Sequence, residues 1–263
     1  MSSLLAAAGH DVTVFVTSAT GGNVSRDGVT VVRVPSTRSV LLRGLAKVLK
    51  RFDVGGGDLP LHLANARALA AALRREHDAK AFDLVQSANY HLVGLYVPRQ
   101  HGRAHLIRIS TSRILYDPAY GRPPGPLTRL TERLDVRAPR RADRAYAPSR
   151  LLQRYFQDTY GHPVAVLRPP MPSDIGRAGQ PPAGTPPRYL VHFGSLGARK
   201  GTDVVSDALP IAWRSEPDLR MGFVGPLSPG NRQRFSASWG GDADKVSILG
   251  PLDKPELYAV VAA

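Results

Sequence analysis

Along this chain, short runs of apolar and β-branched residues alternate with longer stretches in which apolar positions return every three or four residues. Residues 12–17 (VTVFVT) are nearly all apolar or β-branched, the pattern of a strand buried on both faces. Residues 29–34 (VTVVRV) predict a second strand, and 83–87 (DLVQS), 105–110 (HLIRIS), 145–147 and 164–167 predict further ones. Between them, 61–75 (LHLANARALAAALRR) puts Leu63, Ala66, Leu69, Ala70 and Leu73 on one helical face. Residues 127–141 and 149–160 also read as helices, the second with Ser149 as N-cap after Pro148. Strands alternating with helices predict an α/β fold with parallel sheets.

After residue 168 the pattern breaks. RPPMPSDIGRAGQPPAGTPP, residues 168–187, is dominated by proline, glycine and small residues, which neither a helix nor a sheet tolerates throughout. The alternation then restarts with a strand at 189–193, a glycine-rich turn, a helix at 202–214, a strand at 219–224, a helix at 230–238, a strand at 246–249 and a helical start at 255–263. The expected organisation is a first domain at 1–168, a linker at 169–187 and a second domain at 188–263, with a cleft between the two domains. Both ends read as cut. SLLAAAGHD is expected to be the end of a helix with Gly9 as its C-cap, without the strand that should open such a domain, and ELYAVVAA stops inside a helix.

Composition narrows the chemistry. The 263 residues include no cysteine, which excludes disulfides, thiolate metal sites and thiol nucleophiles. The eight histidines show no paired metal-ligand spacing, so no metal is expected. No apolar run reaches the ~18 residues of a membrane span and no secretory leader is recognisable, so the expectation is a cytoplasmic protein. The net charge of +14 suits an anionic partner. It equally suits a chain simply rich in Ala, Arg, Gly and Pro. The densest basic cluster, Arg137, Arg140, Arg141 and Arg144, has no interleaved aromatic residues, so nucleic acid is not expected.

The stretch HFGSLGARKGTD, residues 192–203, has the context of an anion site. A strand runs into Gly194, Gly197 and Gly201 follow, and a helix begins whose free N–H groups favour negative charge. Arg199 and Lys200 bring two cations to the same end. The spacing is neither a Walker A loop nor a Rossmann fingerprint, and an ordinary strand-to-helix turn remains open.

The ordered pieces resemble a family. AAAGHDVTVFVT, FDLVQSANYHLVGL, RADRAYAPSRLLQRYF, VAVLRPPMP, FGSLGARKGTDVVSDALP, LRMGFVGP and VSILGPLDKPELYAVVAA are similar, in that order, to segments of the retaining GT-B glycosyltransferases of family four, the group-one glycosyl transferases. The resemblance implies two Rossmann-like domains facing across a cleft, both incomplete in this chain. It implies transfer of a hexose from a nucleotide-diphosphate sugar to a carbohydrate, lipid or small-molecule acceptor with retained configuration, without a metal or other cofactor. The alternative is a degenerate, non-catalytic nucleotide-binding or interaction module. Lys200 falls on the lysine that holds the donor diphosphate in the family; Ser195 stands where an arginine is usual, and Arg199 is the expected substitute. Gly194, Gly201, Gly225 and Gly250 are expected beside the nucleotide, with the alternative of a plain turn glycine weighing more for Gly225 than for Gly250. His91, in SANYH, is the catalytic candidate, against a surface or capping histidine. The Glu-x7-Glu pair of relatives would lie beyond residue 263. Contact of the basic first domain with an anionic membrane is a further expectation, placed on Arg137 to Arg144.

Overall fold

The computed structural model describes residues 2–37, 39–116, 123–169, 180–186 and 188–262. Two compact units divide the chain, Met1–Pro170 and Met171–Ala263. Most of the expected linker, residues 170–179 and 187, lies outside the described residues.

In the first unit, helix α1 (Ser2–Ala7) ends in a reversal at Gly9, whose φ of 88° is open to glycine at no steric cost, and leads into strand β1 (Val12–Ser18). Strands β2 (Gly22–Arg26) and β3 (Val29–Pro35) form a hairpin that the hydrophobic pattern does not announce. β2 is exposed throughout and so has no core-facing alternation to read. Its signal is instead the Asp27-Gly28 turn, with φ of 51° and 74°, the positive pair that suits a two-residue hairpin. β1 pairs with β3 in parallel, Val12 opposite Val29 through Ser18 opposite Pro35.

Two helices follow, α2 (Val40–Phe52) and α3 (Leu59–Ala79). The strands and helices expected above leave out α2, although its apolar residues form one broad face opposite Arg43, Lys47, Lys50 and Arg51. Only the edge of that face with Leu42, Ala46 and Leu49 turns inward, while Leu41, Leu45, Val48 and Phe52 stay exposed. Ser39 caps it by accepting from the Leu42 amide at 3.3 Å. α3 packs Leu69 and Ala72 against Val32 and Val34 of β3.

Next come β4 (Leu84–Ala88), β5 (Ala104–Arg108), the short α4 (Arg113–Tyr116), α5 (Pro126–Arg141), β6 (Arg144–Ala147), α6 (Arg150–Tyr160) and β7 (Ala165–Val166). β4 to β7 form a parallel sheet in sequence order. α5 and α6 cover it through Val136, Ala138 and the fully buried Phe156, which packs with Ile107, Ile109 and Ala147. Burying such a side chain is worth roughly 1.5–3 kcal/mol. Ser149 caps α6 from the Leu152 amide, and Gly161, at φ 61°, ends it. The two sheets of this unit are separate ladders. Among the described residues β1 pairs only with β3 and β4 only with β5, so each keeps one edge without a strand partner.

The second unit repeats strand and helix: β8 (Leu190–Phe193), α7 (Thr202–Ala212), β9 (Met221–Val224), α8 (Pro229–Trp239), β10 (Val246–Gly250) and α9 (Lys254–Ala262). The strands are parallel in the order β10-β9-β8. β9 is central and wholly buried, as a nearly uniform apolar run between two neighbours should be. Its Phe223 stacks on Trp239 of α8, with centroids 5.8 Å apart, in a core completed by Leu196, Leu209 and Trp213.

Candidate functional site

In the second unit, three glycines end three neighbouring strands. Gly194 follows β8, Gly225 follows β9 and Gly250 closes β10, with φ of 124°, 136° and 68°. Their backbones are tied together: the Gly194 amide donates to the Val224 carbonyl at 2.9 Å and the Gly225 amide donates to the Gly250 carbonyl at 2.7 Å. A Cβ on Gly225 would overlap the Gly194 carbonyl oxygen, so the close approach of these strand ends requires glycine there. The result is a rim of bare backbone at the carboxyl ends of a parallel sheet, where open α/β sheets bind ligands.

Lys200 leans over this rim. A Cβ built on Gly194 would touch the Lys200 Cε at 3.6 Å, which places the lysine stem across Gly194. Burial depresses the His192 pKa, and the Lys200 charge depresses it further. Between them, Thr202 pins the turn to the helix. Its buried Oγ1 accepts from the Gly197 amide at 2.9 Å and lies 3.0 Å from His192 Nε2. With a neutral imidazole, the hydroxyl donates to Nε2, and both partners are satisfied. Gly201, at φ 68°, serves as N-cap of α7, and Ser195 is exposed beside Gly194. Arg199 belongs to the single helical turn Ala198–Lys200; its side chain lies outside the described residues.

In the first unit, His91 sits after β4 in a strained position. His91 and Leu92 have φ of 59° and 62°, left-handed values that cost a non-glycine residue about 1–3 kcal/mol each. Two buried contacts hold the chain there. The Leu92 amide donates to Asp135 Oδ1 at 3.0 Å, and the wholly buried Asn89 accepts from the Ser110 amide and donates to the Thr111 carbonyl. The kink lays the His91 ring between two others: His62 of α3 stacks on it at 4.1 Å, and Tyr90 lies 3.8 Å away.

Arg113 organises the cluster. Its Nη2 donates to His62 Nε2 at 3.2 Å, its Nη1 to the Gly55 carbonyl at 2.7 Å, and its guanidinium stands over the Tyr90 ring. Burial pushes the His62 pKa down to about 4, with the His91 and Arg113 charges adding to the effect. Burial and then Arg113 depress His91 as well. Two imidazoles with depressed pKa values thus face each other beside the Arg113 guanidinium.

Sequence patterns alone do not point to His62, Arg113 or the helix face beneath them. α5 buries a polar stripe, Thr128, Thr131, Glu132 and Asp135, where a core-facing helix is normally apolar. Each of three members holds a loop or turn. Asp53 bonds the Thr128 amide and hydroxyl, both at 2.7 Å; Glu132 accepts from Ser112 Oγ at 2.6 Å and from the Arg113 amide at 3.0 Å; Asp135 holds Leu92. Burial raises the Asp135 pKa to about 8, partly opposed by the Leu92 amide. Polar residues at spacings of three and four on a helix were the available signal. Among the described residues no cluster of three or more His, Asp or Glu is placed to hold a metal ion. The two groups of candidate residues lie one in each unit, His91 in the first and the other seven in the second.

Two α/β units built on mainly parallel sheets, the second with a glycine-lined rim at its strand ends, define the GT-B class of glycosyltransferase fold. The glycosyltransferase family 4 model matches residues 1–173, and the chain belongs to that family. No curated protein matches its sequence. Among solved structures, the chain is similar to trehalose-6-phosphate synthase from E. coli bound with UDP-2-fluoro glucose (TM-score 0.63, 14% identity, 98% of this chain and 72% of that one). It is also similar to Os79 from O. sativa in complex with UDP (0.54, 15%, 93% and 67%) and to Anabaena Alr3699/HepE with UDP and glucose (0.50, 19%, 88% and 58%). At these identities the likeness is one of fold. The chain spans 58% of the HepE protein's length and 72% of the synthase's.

Proposed function

We propose that this chain carries the donor and acceptor sides of a retaining hexosyltransferase that uses a nucleotide-diphosphate sugar. The observation that carries the reading is the rim formed by Gly194, Gly225 and Gly250 beside Lys200. Bare backbone allows a diphosphate to come close, the Lys200 ammonium supplies charge, and the N-terminus of α7 adds oriented N–H groups. Preorganised cation and amide donors stabilise a leaving diphosphate most as its charge develops, so the turn is suited to the transition state as well as to binding. No metal is needed for that role. Ser195 and Gly201 line the same turn, and Arg199 belongs to it.

On the other unit, a neutral His91 in a rigid kink is suited to hydrogen-bond a sugar hydroxyl of donor or acceptor. The acceptor is a carbohydrate, lipid or small molecule. Membership of glycosyltransferase family 4 supports the reaction class, and the solved relatives with UDP or a UDP-sugar support the donor class.

Calorimetric titration with UDP-, GDP- and ADP-glucose tests the donor site. One nucleotide sugar is expected to bind, and Lys200→Ala to weaken it by about tenfold or more while the melting temperature stays put. Unchanged affinity in Lys200→Ala overturns the diphosphate role. The anomeric configuration of the product, read by NMR, tests retention.

A further inference from the structure

The Arg113 guanidinium is partly buried, yet among the described residues no carboxylate lies within ion-pair reach of it. A guanidinium has five N–H donors. Here one is taken by His62 Nε2 at 3.2 Å and one by the Gly55 carbonyl at 2.7 Å. The others have no hydrogen-bond partner among the described residues, the enclosed Nε included.

The acids that act on this cluster are committed elsewhere. Glu132 Oε1 accepts from Ser112 Oγ at 2.6 Å and from the Tyr160 hydroxyl at 3.1 Å, and its Oε2 accepts from the Arg113 backbone amide at 3.0 Å. Asp135 accepts from the Leu92 amide, and burial raises its pKa to about 8, so at neutral pH it holds its proton. Asp58 pairs with Lys50 at 2.8 Å. A cation withdrawn from water without a counter-charge is costly, and an anion from solution removes that cost.

The surroundings suit such an anion. Arg113 follows the carboxyl end of β5 and His91 that of β4, two neighbouring parallel strands, so both stand on the side where open α/β sheets bind ligands. Tyr90 and His91 are exposed, which opens the cluster to solvent. The planar fork of a guanidinium matches the oxygens of a phosphate or a carboxylate, and an imidazole N–H beside it adds a donor.

We infer that Arg113, with His91 beside it, holds an anionic group of the acceptor, a phosphate or a carboxylate. The inference rests on the reading of this cluster as the acceptor side and narrows the acceptor to one that carries such a group. The Arg113 charge helps to depress the pKa values of His62 and His91, so an anion on the guanidinium offsets that charge and raises both.

Proton NMR of the histidine rings in the 263-residue chain tests it without any donor. Inorganic phosphate and acetate are titrated separately, at an ionic strength held constant with sodium chloride, and His62→Phe and His91→Ala assign the two resonances. At least one of the anions is expected to shift both resonances saturably and to raise the two pKa values by about one unit, a tenfold change in proton affinity. Arg113→Gln is expected to abolish the response. The His105 ring, bonded to Ser87 in the same unit, reports whether that variant is folded. If it is not, Arg113→Lys takes its place and is expected to need roughly tenfold more anion, having lost the fork. No saturable response to either anion, or an unchanged titration in the folded variant, overturns the inference. So does a shift confined to His192, which would place the anion at Lys200 in the second unit. Loss of nucleotide-sugar binding with this response intact counts against the donor reading alone, and the reverse counts against the anion subsite alone.

Discussion

The imidazoles of His62 and His91 stack 4.1 Å apart with their planes within 15° of parallel, although 28 residues separate them in the chain. The stack joins a helix to a strained strand end, and the Arg113 bond to His62 fixes its inner ring. His62 is in this way a positioning residue for His91. Replacing it with Phe keeps an aromatic partner but removes the titration, and replacing it with Ala leaves the kinked His91 unsupported. His62→Ala is expected to lower transfer about as much as His91→Ala, while His62→Phe retains more of it. Comparing kcat and KM for the two variants checks this.

The same pair sets an acid limit. His62 has a folded pKa of about 4, below the ordinary 6.5, so the folded state binds fewer protons there than the unfolded one. Its contribution to stability is complete above pH 6.5 and is lost as the pH falls through about 4. His105, buried against Ser87 Oγ at 2.9 Å, is also held at about 4 and acts in the same direction. Melting temperature is expected to drop between these limits, and less so in His62→Phe.

Asp135 works with the opposite sign. Its carboxyl is raised from 3.8 to about 8, so the folded state binds the extra proton, and the contribution present below pH 3.8 is lost as pH rises through about 8. Asp135→Asn keeps an oxygen for the Leu92 amide and cannot ionise. The variant is expected to be more stable than the parent at pH 8 and close to it at pH 4, by thermal melts at both values.

Gly225→Ala is expected to disrupt the second unit. The new methyl meets the Gly194 carbonyl oxygen, and φ of 136° is foreign to alanine. A loss on the order of 3 kcal/mol is expected from strain and overpacking together. Gly250→Ala, with open space at its Cβ position, is expected to cost less despite its positive φ. Chemical denaturation of the two variants measures the difference.

Thr202→Val separates the shape of the turn from its charge. The substitution strips the Gly197 amide and His192 of their shared partner and leaves Lys200 in place. A buried donor without a partner costs about 1–3 kcal/mol. The expected outcome is a less stable second unit with weakened nucleotide-sugar binding, against Lys200→Ala, which should lose binding alone. Paired melts and titrations of the two variants check it.

The sequence by itself determined the strands whose runs are continuously apolar or β-branched, the helices with one apolar stripe, and the family, because ordered local patterns survive without knowledge of contacts. Residues 12–17 and 29–34 are strands, residues 61–75 lie inside a longer helix that begins at Leu59, after Asp58, with Pro60 in its first turn, and Ser149 is an N-cap. The turn around Lys200 was legible too, since glycines between a strand and a helix have a local meaning. Tertiary structure decided the rest. α2 has one broad apolar face of which only part is covered, and α5 buries the polar residues Thr128, Thr131, Glu132 and Asp135, so neither the extent of burial on the first nor the inward face of the second follows from periodicity. That Gly194, Gly225 and Gly250 meet in one rim, and that His62 reaches His91 beside Arg113, follows from strand order and helix docking. Those contacts join residues far apart in the chain, and their free energy comes from packing and desolvation, which appear only when the chain is folded.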